Sequence, residues 1–206
     1  MPFLTFEGVE GCGKSTQLRM LAERLRGLGH DVRATREPGG TPTGERLRAI
    51  LLDPSEVALD PLAEFLLFEA DRRQHVMEVI RPALQTGAWL LCDRFADSTE
   101  AYQAAGRGLA EELIATIDAR VRDGLEPDLT LLYDLDAAEG LSRARRRDGG
   151  AGRFESAELP LHERVRARFL EIARREPDRV VVVPAHADAD AVFAETWRIV
   201  SGRFRT

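Results

Sequence analysis

Eight residues near the N-terminus, Gly8-Val9-Glu10-Gly11-Cys12-Gly13-Lys14-Ser15, constrain this chain more than any other stretch. They match G-x-x-x-x-G-K-[ST] in full. The flanks suit the motif: Phe3–Glu7 reads as a short buried strand, and Leu18, Leu21, Leu25 and Leu28 follow at helical spacing up to a stop at Gly29. In such a strand–loop–helix unit, glycines let successive backbone N–H groups turn inward around phosphate oxygens. The helix N-terminus adds the positive end of its dipole. Lys14 can then reach the β- and γ-phosphates of a nucleoside triphosphate, while the Ser15 hydroxyl ligates Mg²⁺. Gly8 to Ser15, with Thr16, are therefore expected to hold ATP.

Composition sharpens the point at one position. Of the 29 basic residues only Lys14 is lysine, and the other 28 are arginine. A GC-rich genome accounts for that bias over the surface. An ammonium retained in the phosphate loop is a different matter, because a compact point charge and a planar fork are not interchangeable. The single lysine also removes one class of nucleotide hydrolase, since guanine recognition through N-K-x-D needs a second.

Strand-like and helix-like segments alternate along the rest of the chain. Strands are expected at 3–7, 32–35, 88–92, 129–135 and 180–183. Helices are expected at 14–28, 44–52, 62–85, 99–105, 110–122, 137–147, 158–175 and 189–200. Five strands separated by helices imply right-handed crossovers and a parallel sheet covered on both faces, an α/β fold in three layers. Residues 1–206 read as one domain, with no internal repeat or linker. The formal charge of −6 disfavours a nucleic-acid polymer as partner. No apolar run approaches a membrane span, and Cys12 and Cys92 give neither a disulfide framework nor metal spacing. A cytoplasmic location is the expectation.

The phosphate loop fixes nucleotide binding, not the reaction, so the acceptor side must decide. Asp93 ends the most apolar strand, where a carboxylate can hold Mg²⁺ through its waters, and Arg94 beside it can bridge donor and acceptor phosphates. Arg36-Glu37-Pro38-Gly39-Gly40-Thr41 ends the second strand at the same sheet edge. Phe68 and Arg72 are four residues apart on one helix face, placed for a ring to stack on a base and a guanidinium to donate to its carbonyl. Taken alone, Phe68 reads first as core. The segment at about 142–155 carries Arg143, Arg145, Arg146, Arg147 and Arg153 around Gly149-Gly150. It is either a solvated helix face or a flexible lid whose arginines neutralise a transferring phosphoryl group.

In this order the residues resemble the thymidylate kinase family over nearly the whole chain. The match runs from Glu7-Gly8 to Ser15-Thr16, through Arg36 to Thr41, Phe68 to Arg72, Asp93-Arg94-Phe95-Ala96-Asp97-Ser98-Thr99 and Ala101-Tyr102-Gln103, to Arg153-Phe154-Glu155. The resemblance implies transfer of a phosphoryl group from ATP to dTMP. It implies that Phe68 stacks on thymine, Arg72 donates to its 4-oxo group, and Arg48 and Arg94 hold the 5′-phosphate with Arg36 and Glu37 nearby. It further implies that Glu10 accepts from the sugar 3′-OH, that Ser98, Thr99 and Gln103 line the base pocket, and that Tyr102 packs under the deoxyribose. Family members place a catalytic arginine in either the phosphate loop or the lid. Gly11 occupies the loop position here, so the lid arginines Arg143, Arg147 and Arg153 are expected to join Lys14, Asp93 and Arg94 in catalysis. A homodimer is implied as well. Two alternatives remain open on the residues alone: another small phosphate-loop kinase, and an ATP-driven switch with no small-molecule acceptor.

Overall fold

The described residues of this computed structural model are 2–53, 59–148 and 158–204. The lid expected at about 142–155 falls partly outside them, as do all of Arg153 and the side chain of Arg147. Five parallel strands, β1 (Phe3–Glu7), β2 (Val32–Arg36), β3 (Trp89–Asp93), β4 (Leu129–Asp134) and β5 (Val180–Pro184), form one sheet in the order β2-β3-β1-β4-β5. The apolar runs dictate this order. The three inner strands are buried almost throughout, whereas the edge strands β2 and β5 leave most of their residues exposed or half-buried. Leu4 and Phe6 pack with Leu21 and Leu25 of α1 (Lys14–Gly27) and Val192 of α9 (Ala189–Arg203). Phe3 points the other way, into a cluster with Leu90, Cys92, Val76 and Ile80, as the two-residue period of a strand requires.

The helices are α2 (Pro42–Leu51), α3 (Pro61–His75), α4 (Arg81–Gln85), α5 (Ala96–Thr99), α6 (Glu111–Arg122), α7 (Ala137–Asp148) and α8 (Leu159–Arg175), besides α1 and α9. Two of them depart from the expected pattern. The single helix expected over 62–85 is α3 and α4 joined by a π-helical turn at Val76–Ile80. Pro82 lies just beyond that turn and has no N–H to donate, so regular bonding must loosen there. The helix expected at 99–105 is instead four residues of α5 followed by a π-helical turn, Glu100–Gly106, which carries Tyr102 and Gln103. Leu28, the last residue of the expected apolar stripe, caps α1 and is exposed. Among the described residues no helix is long and apolar enough to cross a membrane.

Because β3 lies between β1 and β2, the chain leaves β1 and returns one place further out. This opens a crevice at the carboxyl ends of the strands. The register brings Phe6 opposite Asp93 and Arg36 opposite Asp93, so the ends of three strands face one another across it.

Candidate active site

The phosphate loop follows β1 directly. Gly13 adopts a left-handed conformation (φ 94°) just before α1, so the first N–H groups of that helix open into the crevice. Lys14 is buried and folds back over the loop, its Nζ donating to Gly8 O at 2.9 Å and Val9 O at 2.8 Å. The Ser15 hydroxyl donates to Asp93 Oδ2 at 2.5 Å. Two hard oxygen donors therefore meet at the mouth of the loop, a set that suits Mg²⁺, which also takes oxygens from phosphate and water. Among the described residues no cluster of three or more His, Cys, Asp or Glu could hold a metal by itself.

Among the described residues Arg94 is the one cleft residue held in the left-handed region without being glycine (φ 71°), a conformation that costs a side-chain-bearing residue about 1–2 kcal/mol. Its guanidinium lies over the phosphate loop. Nη1 donates to Gly8 O at 3.3 Å and Ser98 Oγ at 3.1 Å, and Nη2 to Glu10 Oε1 at 2.9 Å. The group lies over the Tyr102 ring, 5.0 Å from its centroid. Glu10 also accepts from the Tyr102 hydroxyl and faces His162 Nδ1 at 3.2 Å. Burial opposes ionisation of Glu10, but Arg94, His162, Lys14 and Tyr102 outweigh it and hold the carboxyl below the usual range.

Opposite the loop, a cis peptide joins Glu37 to Pro38, and Gly39 N donates to Asp71 Oδ1 at 2.9 Å. Arg48 donates to Pro38 O at 2.9 Å, while Arg36 pairs with Glu45. Phe68 is half-buried and turned into the cavity, and Arg72 is buried deeper along the same helix face. Burial opposes the charge on Arg72, yet Glu69, Glu37 and Asp118 outweigh it and raise its pKa above the ordinary value. The Phe95 ring lies 5.2 Å from its guanidinium carbon.

One cavity of about 350 Å³ collects these groups. Glu10, Gly11, Lys14, Ser15, Asp93 and Arg94 line its phosphate-loop end. Arg36, Glu37, Arg48, Phe68, Arg72, Ser98, Thr99, Tyr102 and Gln103 line the remainder. Of the other expected site residues, Val9 and Cys12 have buried side chains in the core, and Thr16 is exposed on the first turn of α1. Arg143 on α7 is turned away from this cavity, with Nη1 donating to Ala185 O at 3.2 Å and Nη2 to Glu139. The arrangement can bind two phosphate-bearing groups end to end, one on the loop and one beneath Arg94 and Arg48, with an aromatic face for a base beyond them.

Several contributors were not apparent from the sequence. Glu7 lies beneath the loop, its Oε1 accepting from Phe95 N and its Oε2 from Ser98 Oγ, both at 2.6 Å. Glu69, Asp118 and His162 are further examples. Each is an ordinary helix or strand residue in its own stretch, and only the tertiary fold brings it against the residues that line the cleft. Apolar position was the sole available signal, and at Glu7 a carboxylate closing a buried strand was its clearest form.

Burial and the neighbouring Asp97 push Glu7 up to about 8, and burial pushes Glu69 and Asp71 to about 7. All three exceed their unfolded values of 4.5, 4.5 and 3.8, so the folded chain binds more protons between those values and pH 7–8. Their contribution is complete below the unfolded pKa and is lost as pH rises through the folded one, so stability should fall from pH 5 to pH 8. Glu7→Gln takes one proton out of this linkage and is expected to flatten the plot of melting temperature against pH over that interval. An unchanged slope would show that Glu7 is ionised at neutral pH.

The thymidylate kinase family model matches residues 6–196 of the chain. A thymidylate kinase of Deinococcus radiodurans is 54% identical over 201 residues, which cover 98% of this chain and 97% of the relative. One from Caulobacter vibrioides is also 54% identical, covering 98% and 96%. The crystal structure of thymidylate kinase from Ehrlichia chaffeensis superposes with a TM-score of 0.79 at 35% identity, covering 97% of this chain and 98% of that one.

Proposed function

The chain belongs to the thymidylate kinase family, and on that premise we propose how its cleft phosphorylates dTMP to dTDP at the expense of ATP. The observation that carries the reading is the single cavity running from Lys14 at one end to Phe68 and Arg72 at the other. ATP lies with its β- and γ-phosphates in the loop formed by Gly8 to Ser15, and the dTMP 5′-phosphate lies beneath Arg94 and Arg48. Phe68 stacks on thymine, and Arg72 donates to its 4-oxo oxygen, where cytosine would present an amino group. Glu10 accepts from the 3′-OH, and Tyr102 fills the space a 2′-OH would need. Ser15 and Asp93 are the residues that would hold Mg²⁺, which would supply neutralisation of phosphate charge when bound.

The attacking atom is an anionic phosphate oxygen, so the protein need not remove a proton. Lys14 and Arg94 align the two phosphates and neutralise charge that spreads over the transferred group, and arginines of the segment at about 142–155 close over it. The chain acts as one domain with that segment as its lid, as a cytoplasmic homodimer, without membrane or nucleic-acid polymer as partner.

A coupled assay offering dTMP, dUMP, dCMP, AMP and shikimate tests the reading. ADP release should depend on the acceptor, with dTMP giving the highest kcat/KM. Preference for a different acceptor, or slow ATP hydrolysis indifferent to nucleoside monophosphates, would refute it.

A further inference from the structure

Arg72 is anchored from four places in the fold: the end of β2, its own helix α3, α5 and α6. Its Nε donates to Glu37 Oε2 at 2.9 Å, just past the end of β2. Its Nη1 donates to Glu69 Oε1 at 2.6 Å, one turn earlier on α3, to Thr99 Oγ1 at 2.8 Å, and to Asp118 Oδ1 at 3.1 Å. Among the described residues none accepts from Nη2, and Arg72 lines the cavity. Nη2 is therefore the donor left for a ligand.

These anchors are not equivalent. Glu37 and Thr99 line the cavity themselves, and Glu69 rides on the same helix as Arg72. Asp118 alone comes from an element outside the cavity wall, α6, and stands 46 residues away along the chain. It is buried, and its second oxygen accepts from Arg122 Nε at 2.6 Å. Arg122 Nη1 in turn donates to Leu125 O and Glu126, which keeps Arg122 in place at the far side. A carboxylate shared between two guanidinium groups has little freedom to turn, so the edge of Arg72 that it holds has little freedom either.

We infer that Asp118 is a positioning residue for base specificity: it fixes the plane of the Arg72 guanidinium so that Nη2 meets a keto oxygen, with Arg122 bracing the carboxylate from behind. The inference rests on the dTMP kinase reading of the cleft. Without Asp118 the guanidinium keeps its charge and its contact with α3, but its plane can swing, and a donor out of line no longer separates a keto group from an amino group.

Steady-state kinetics of Asp118→Asn and Arg122→Leu, with dTMP and 5-methyl-dCMP as acceptors, test this. For Asp118→Asn, KM for dTMP should rise about tenfold while kcat and KM for ATP stay within about twofold. The ratio of kcat/KM for dTMP to that for 5-methyl-dCMP should fall by a similar factor. Arg122→Leu leaves Asp118 in place and should lower the same ratio by a smaller factor; it carries the test if Asp118→Asn does not fold. A merely structural role would lower the melting temperature and the active fraction yet leave that ratio at the wild-type value, which would overturn the inference. Wild-type protein with no preference for dTMP would instead overturn the reading on which it rests.

Discussion

Lys14→Arg should lower kcat by on the order of 10³-fold, although the substitution keeps the charge. The reason lies in how the ammonium is held. Its Nζ sits within hydrogen-bonding distance of two loop carbonyls, those of Gly8 and Val9, and 3.5 Å from Cys12 Sγ, on a side chain buried among backbone. The enclosure suits a small tetrahedral donor that can swing from the loop carbonyls to phosphate oxygens on a flexible stem. A guanidinium is wider and planar, and its five donors are fixed in a fork. To enter, it must open the loop, and the N–H groups that face the phosphates would lose their alignment. KM for dTMP should stay within a few-fold, because the contacts proposed for the acceptor, on Arg94, Arg48, Phe68 and Arg72, lie elsewhere in the cavity lining. Circular dichroism and a thermal melt establish that the variant folds. Near-normal turnover would mean that the lone lysine among 28 arginines reflects nothing more than base composition.

The parts of this site that sequence revealed are those whose chemistry is contiguous. The phosphate loop is one unbroken stretch, its strand and helix carry opposite apolar periods, and the structure has both where expected. Asp93 and Arg94 were legible because they close a strand too apolar to lie anywhere but the sheet centre. The pair Phe68 and Arg72 was legible as a shared helix face, but nothing local distinguished a ring in the core from a ring at a cavity wall. That distinction depends on the crevice left beside β1, which is a property of strand order. The anchors of Arg72 were hidden for the same reason. Glu69 and Asp118 look like exposed helix acids in a chain with 35 acidic residues, and only packing of α3 against α6 buries them. The two π-helical turns were invisible to a 3.6-residue period, since they insert a residue without changing the character of the sequence. One of them sets Tyr102 against Glu10 and Arg94, so the irregularity lies where the cleft needs it.

Gly11→Arg should not supply the loop arginine that some family members carry; it should destroy the loop. Gly11 has φ 71°, which already costs a residue with a Cβ about 1–2 kcal/mol. The larger obstacle is α7. A Cβ at Gly11 would lie 2.0 Å from Gly140 O and 2.9 Å from Gly140 C, and one at Gly140 would lie 2.4 Å from Glu10 O. Loop and helix thus meet backbone to backbone, with glycine on both sides and no flexible side chain to yield. Relief requires α7 to move away, and α7 leads into the arginine-bearing segment at about 142–155. The substitution should therefore lower stability by roughly 3 kcal/mol or more, a fall of about 6–12 °C in melting temperature for a chain of this size. It should also reduce kcat/KM for ATP by at least about 10²-fold. Gly11→Ala separates the two causes, because it brings the same Cβ without the charge. Both variants should lose stability and ATP affinity together, and Gly11→Arg should fail to restore activity to an Arg153→Ala background. Restoration there would show that α7 can part from the loop at little cost, and that a loop arginine can replace one from the lid in this chain.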